Sequence, residues 1–158
     1  MQIIHDDRNI TLEDAYTHLY MACIGTRGEP RTVAGMGISY FTKLLAFLYR
    51  GEQAPILDQW TAKSANLLSL FPLVTIYQDT PYRCRNSASA FRQYQNYINL
   101  LEEIRLGVQE GPNQPPIDRH TVEERLFSKG ALNGARGQWR SYVIENYRPE
   151  MGRPNLRG

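Results

Sequence analysis

The sequence holds little that could bind a metal. Its 158 residues include 2 cysteines and 3 histidines. Cys23 and Cys84 lie far apart, and His5, His18 and His120 are scattered. No spacing among them assembles a zinc site or an iron–sulfur cluster, and no cofactor is expected. The cysteines keep two readings, a Cys–His nucleophile pair or buried structural thiols, and the second is the commoner fate of an isolated cysteine. A GxSxG elbow, a Walker loop and a strand–GxGxxG–helix unit are all missing, which removes the usual signatures of serine hydrolases and nucleotide binders. No stretch approaches eighteen consecutive apolar residues, and the opening MQIIHDDRN is acidic and polar. Neither a signal peptide nor a membrane anchor fits that pattern, so the expected setting is cytoplasmic with no membrane partner. The net charge of +2 is too small to name a polyanion by itself. The basic residues are nevertheless clustered, with Arg83, Arg85 and Arg92 in one group and Arg136, Arg140, Arg148, Arg153 and Arg157 in another. Such clusters are either solvated surface or a nucleic-acid footprint.

What remains is a globular composition, 42% hydrophobic and 22% charged, of a length that buries a core without staples. Helical periodicity runs nearly throughout. Thr11 and Asp14 make a capping-box start for a helix carrying Leu12, Tyr16, Leu19, Tyr20 and Cys23, ended by Gly25 and Gly28. A second helix is expected over 38–50, with Phe41, Leu44, Leu45 and Leu48 as its apolar stripe, and a third over about 59–70. Two prolines and a β-branched run make 71–86 an extended connection. Ser87 is the expected cap of a long helix with Phe91, Tyr94, Ile98, Leu101 and Ile104 facing inward. EGPNQPPID at 110–118 reads as a loop, Thr121 and Glu124 as a capping box, and 137–147 as a last helix. The expectation is an all-α, single-domain helical bundle over 1–147, in which the resemblance described below implies a helix-hairpin-helix motif, followed by a mobile basic tail at 148–158.

The stretch AGMGISYFTKLLAFLYRGEQAPILDQW at 34–60 carries the chemistry. Gly35 and Gly37 can form a tight turn, and the amides of Gly35, Met36, Gly37 and the residues after them can then meet a phosphate at the start of the next helix. A corner that simply needs glycine is the plainer alternative. Asp58 follows Gly37 by 21 positions and is introduced by Pro55-Ile56-Leu57. It is an excellent N-cap, and a capping geometry also holds a carboxylate rigid.

VAGMG followed by APILDQW resembles the helix-hairpin-helix DNA glycosylase superfamily, specifically its 8-oxoguanine glycosylase branch. The resemblance covers roughly residues 30–70, with Ala34 where that family usually has proline. It implies that Asp58 is the catalytic carboxylate, supporting the positive sugar that forms as a base departs. It also places the amine of bifunctional members at Ser39. Lys43, one turn further along the same face, is the alternative amine, so base excision is expected with strand nicking as an additional possibility. The hairpin residues, Ser39, Lys63, Arg83 and Arg85 become candidate DNA contacts, and Tyr40, Phe41, Trp60 and Tyr82 candidate walls for a flipped base. The implied partner is double-stranded DNA containing a modified base, bound by a monomer. Larger members carry an N-terminal domain that contacts the damaged base. With ten residues ahead of the first helix, this sequence is expected to work without one. Small bacterial proteins of this fold are associated with antiviral defence, so a hypermodified phage base such as glucosylated hydroxymethylcytosine stands beside 8-oxoguanine. Rival readings are a non-catalytic DNA-binding module or defence adaptor, and an all-α protein-interaction domain.

Overall fold

The structure, a computed structural model, describes residues 10–25, 33–49, 54–77, 80–81, 84, 86–108, 116–127 and 137–152. It is all-α. Six helices follow in order: α1 (Leu12–Cys23), α2 (Ile38–Leu48), α3 (Gln59–Ser69), α4 (Ser87–Val108), α5 (Arg119–Phe127) and α6 (Gln138–Asn146). The extended connection contains a two-residue antiparallel ladder, β1 (Ile76–Tyr77) with β2 (Thr80–Pro81), in which Ile76 faces Pro81.

The expected capping box opens α1: Thr11 Oγ1 accepts the Asp14 N–H at 3.1 Å, and the Asp14 carboxylate accepts the Thr11 N–H at 3.3 Å. Gly25, at φ 69°, turns the chain out of the helix. Caps elsewhere differ from expectation. Asn86, not Ser87, takes the Ser89 N–H at 2.8 Å, and Asp118 takes the Thr121 N–H at 2.6 Å. In both cases a longer polar side chain stands where its oxygen reaches the third amide of the helix, and Thr121 lies inside the first turn instead of before it. The inward stripe of α2 is Ile38, Phe41, Thr42 and Leu45, and α2 ends at Leu48, which is 67% exposed. Leu48 lies only about 20° around the helix from Phe41, so its place as the last residue of α2, and not rotation, leaves it exposed.

The core is unusually phenolic. Tyr16, Tyr20, Tyr94 and Tyr97 are all buried. Tyr16 stacks on Tyr94 at 4.7 Å between ring centroids and meets the edge of Phe41 at 5.1 Å. Two of their hydroxyls are used structurally. Tyr20 donates to the Cys84 carbonyl at 2.9 Å and Tyr94 to the Pro55 carbonyl at 2.7 Å. Asn66, fully buried in α3, clamps Val74 at both its N–H and its carbonyl. Trp139 of α6 donates to Ser64 Oγ at 2.9 Å, and Ser64 in turn reaches the Leu126 carbonyl, so one hydroxyl joins α3, α5 and α6.

Four residues of the expected tail take up regular structure. Pro149–Gly152 forms a 3₁₀ turn packed against α3 and β1. A Cβ on Gly152 would come within 2.9 Å of Ile76 Cβ and 2.4 Å of the Tyr147 hydroxyl, so this position has no room for a side chain. Residues 153–158 lie outside the described residues.

The turn at 33–37 is pinned to the end of α1 by the Val33 N–H on the Ala22 carbonyl, 2.9 Å, and by Met36 Sδ at 3.5 Å from Cys23 Sγ. Its two glycines differ physically. Gly35 sits at φ 81°, where a Cβ is strained. Gly37 is the N-cap of α2 at φ −87°, with nothing within 4 Å of where a Cβ would stand. Gly35→Ala should therefore lower unfolding free energy by roughly 1–2 kcal/mol. Gly37→Ser, which adds a capping oxygen, should leave stability unchanged or raise it by up to about 1 kcal/mol. Urea titrations of the two variants check the contrast.

Candidate active site

Asp58 ends a segment held by side chains from several helices. The Pro55 carbonyl accepts from Tyr94. The Ile56 N–H donates to Glu123, and its carbonyl accepts from Thr61 Oγ1 at 3.0 Å. The Leu57 N–H donates to Thr42 Oγ1 at 3.1 Å, and the Asp58 N–H to Thr61 Oγ1 at 2.9 Å. Four helices thus contribute one side chain each, Thr42 from α2, Thr61 from α3, Tyr94 from α4 and Glu123 from α5. The pattern satisfies the polar backbone of a segment that no helix or sheet covers.

The Asp58 carboxylate is buried at 7% exposure and caps α3 with one oxygen. Oδ1 accepts the N–H groups of Trp60 at 2.7 Å and Thr61 at 3.0 Å. Oδ2 accepts no hydrogen bond among the described residues. Capping therefore fixes the direction of the group while leaving one oxygen unengaged, and both roles read for Asp58 in the sequence are compatible with this geometry.

Residues 5–127 match the family described as "Putative 8-oxoguanine DNA glycosylase OGG-like protein". The chain belongs to this OGG-like family. No curated protein and no solved structure matches it. The matched span takes in α1 to α5, the 33–37 turn and Asp58, and stops before α6. The family is one of glycosylases acting on DNA, and this gives the rigid acid of the OGG-like chain a chemical context.

Lys43 is half-exposed on α2, next to the Thr42 that holds Leu57, and its Nζ lies 5.7 Å from the centre of the Tyr40 ring. Tyr40 is 67% exposed. Ser39 is half-buried in the first turn of α2. Phe41 has no exposed surface and packs on Tyr16 and Tyr20, so it builds the core and offers no face to a base. Met36 turns its side chain inward to Cys23 and leaves only its backbone at the turn. Trp60 is half-buried, with Arg140 Cζ 4.3 Å and Lys63 Nζ 5.3 Å from its ring centre. Lys63 also lies 5.5 Å from the Tyr147 ring. Trp60, Lys63 and Tyr147 border a cleft of about 510 Å³ between α3 and α6, and among the described residues its lining holds no acidic side chain. Tyr82, Arg83 and Arg85 lie outside the described residues.

Burial raises the pKa values of the Cys23 and Cys84 thiols, the behaviour of structural rather than reactive cysteines. Among the described residues no cluster of three His, Cys, Asp or Glu side chains could hold a metal ion, and no helix is long and apolar enough to cross a membrane.

Sequence reasoning missed Glu123. This side chain of α5 is buried at 7% exposure and accepts the Ile56 N–H with Oε1. Burial pushes its carboxyl up to about 7; Asp58 and Glu124 add to the rise, while the Ile56 N–H and His120 oppose it. The available signal was a glutamate beside the apolar pair Val122 and Leu126, one helical turn apart, though only the tertiary fold brings it to Ile56.

The shift has a definite sign. An unfolded Glu123 ionises near 4.5, whereas the folded one holds its proton to about 7. Between those values the native state binds more protons than the unfolded state, so this group's contribution to stability falls as pH rises and levels off above about 7. Wild type should lose about 1–3 kcal/mol more than Glu123→Gln between roughly pH 5 and pH 8. Paired denaturant curves at the two pH values measure it; equal losses in both proteins would remove Glu123 as the source.

Proposed function

We propose that the protein is a DNA N-glycosylase of helix-hairpin-helix type that extrudes a modified base from double-stranded DNA and breaks its N-glycosidic bond, with Asp58 as the stabilising carboxylate. One observation carries the reading. Asp58 is buried and directed by its capping bonds on a segment held at every peptide, with Oδ2 unengaged among the described residues. As the C1′–N bond breaks, its electron pair leaves with the base and positive charge develops on the sugar. A fixed carboxylate lowers the energy of that cation without reorganising. A water oxygen then bonds to C1′ and gives its proton to the carboxylate or to solvent. The same segment geometry would serve little purpose if Asp58 only capped a helix, since an asparagine caps equally well.

The turn at 33–37 supports DNA contact. Gly37 has no steric reason of its own to be glycine, and its lack of a side chain lets a phosphate approach the first amides of α2. Lys63, at a cleft with no acidic lining among the described residues, extends the contact, and Ser39, Arg83 and Arg85 are the remaining proposed phosphate ligands. Trp60, bearing two cations, and the exposed Tyr40 border the DNA-facing side. The substrate class proposed is a modified base, either an 8-oxoguanine-like lesion or a hypermodified phage base such as glucosylated hydroxymethylcytosine. In the second case the setting is antiphage defence. The protein acts as a monomer, and excision leaves an intact abasic site, because Ser39 stands where the bifunctional members' lysine is placed.

Asp58→Asn should fold as wild type and bind DNA within a factor of a few, while base release falls by at least about 100-fold. Gel-scored abasic sites after alkali, on duplexes carrying different modified bases, give the measurement. Full release by this variant removes Asp58 from the mechanism.

Borohydride tests the amine. Wild type should give no trapped protein–DNA adduct, and the strand should break only on heat or alkali. An adduct that vanishes in Lys43→Ala would instead make the enzyme bifunctional through Lys43.

A further inference from the structure

A second cleft, of about 460 Å³, opens between the C-terminal half of α2, residues 54–56 and the start of α5. Its size lies in the range of small-molecule pockets. Phe47, 79% exposed, lines it as an aromatic face with no partner ring among the described residues. Pro55 and Ile56 form an apolar wall, and Glu123 supplies the buried polar group. Glu123 uses its two oxygens unequally. Oε1 is taken by the Ile56 N–H, whereas Oε2 has no hydrogen bond among the described residues and lies 3.9 Å from His120 Nδ1. The wall and the acid belong to one rigid segment, since Ile56 is two residues from Asp58.

An aromatic face, an apolar wall and one directed polar atom are the parts that hold an extruded base by stacking and read its pairing edge. We propose that this cleft receives the extruded base, that Phe47 stacks on it, and that Glu123 Oε2 selects a base bearing an exocyclic amine by accepting its hydrogen. The inference rests on the glycosylase reading only for the extrusion of a base. An ionised carboxylate accepts and cannot donate, so an amine at that point is bonded and a carbonyl is repelled. The groups around Glu123 are Asp58 from the start of α3, Tyr94 and Tyr97 from α4, and His120 and Glu124 on α5 itself, with Asp118 and Arg119 bordering the cleft. Burial keeps the carboxyl protonated up to about 7, so selection by the ionised form belongs to higher pH.

Glu123→Gln reverses the chemistry at one atom. The amide oxygen keeps the Ile56 N–H, and the NH₂ then stands where Oε2 was, a donor in place of an acceptor. Fluorescence anisotropy with duplexes carrying a single unpaired cytosine or a single unpaired uracil reads this directly, because the two bases differ only along the pairing edge. Wild type should prefer cytosine by roughly tenfold at about pH 8, with the preference shrinking towards parity at about pH 6. Glu123→Gln should prefer uracil at both. Equal affinities in wild type at the higher pH, or a variant that keeps the cytosine preference, would overturn the inference. Base release from modified-base duplexes is scored separately. Preference without release leaves this inference standing and sinks catalysis; release without preference does the reverse.

Discussion

The backbone at residues 55–58 is the constraint on which the rest depends. It runs between two helices, so its polar groups have no regular partners, and it lies too deep for water to serve them all. Four helices each spend one polar side chain on it. A peptide segment satisfied in this way cannot shift without breaking several bonds at once. Mispositioning Asp58 therefore means disturbing the packing of α2, α3, α4 and α5 together. The phenolic core follows from the same demand: a tyrosine at position 94 fills the interior and also delivers a donor to Pro55, which a phenylalanine of nearly the same volume could not do.

Much of this was legible along the chain, and what was missed has identifiable causes. The Thr11–Asp14 capping box and Asp58 as an N-cap depend on residues three positions apart, a distance over which sequence and geometry correspond. The caps at Asn86 and Asp118 were displaced onto Ser87 and Thr121 because several capping residues stand close together, and propensity does not choose among neighbours. Leu48 was counted into a stripe that α2 does not continue to bury. Phe41 lies within six residues of the glycine turn, yet its direction on the helix sends it to the core, so nearness in sequence says nothing about which face a side chain joins. Glu123 was invisible because its role depends on a partner 67 positions away.

The two carboxylates that meet this segment, one on it and one from α5, share one arrangement. Each gives one oxygen to backbone amides and keeps the other unengaged among the described residues. Asp58 sits at a helix N-terminus, where the peptide dipoles favour negative charge, whereas Glu123 has burial against it and the Asp58 charge nearby. The nearby Asp58 charge adds to the rise that burial imposes on the Glu123 carboxyl.

The packing of α6 and the following turn carries a consequence for how the protein is made. Residues 137–152 cover α3, the helix that Asp58 begins, and Gly152 fits against Ile76 with no space for a side chain. Synthesis proceeds from the N-terminus, so α3 leaves the ribosome long before its cover exists. Until Gly152 has emerged, the buried faces of Ala62, Ala65 and Ser64 have only part of their enclosure. The nascent chain can thus collapse its α1, α2 and α4 core early, while the side of α3 that meets α6 and the 149–152 turn is covered only near the end of translation. A ribosome stalled before that point holds a chain whose acid already has its partners from α2 to α5 while the outer side of α3 still lacks its cover.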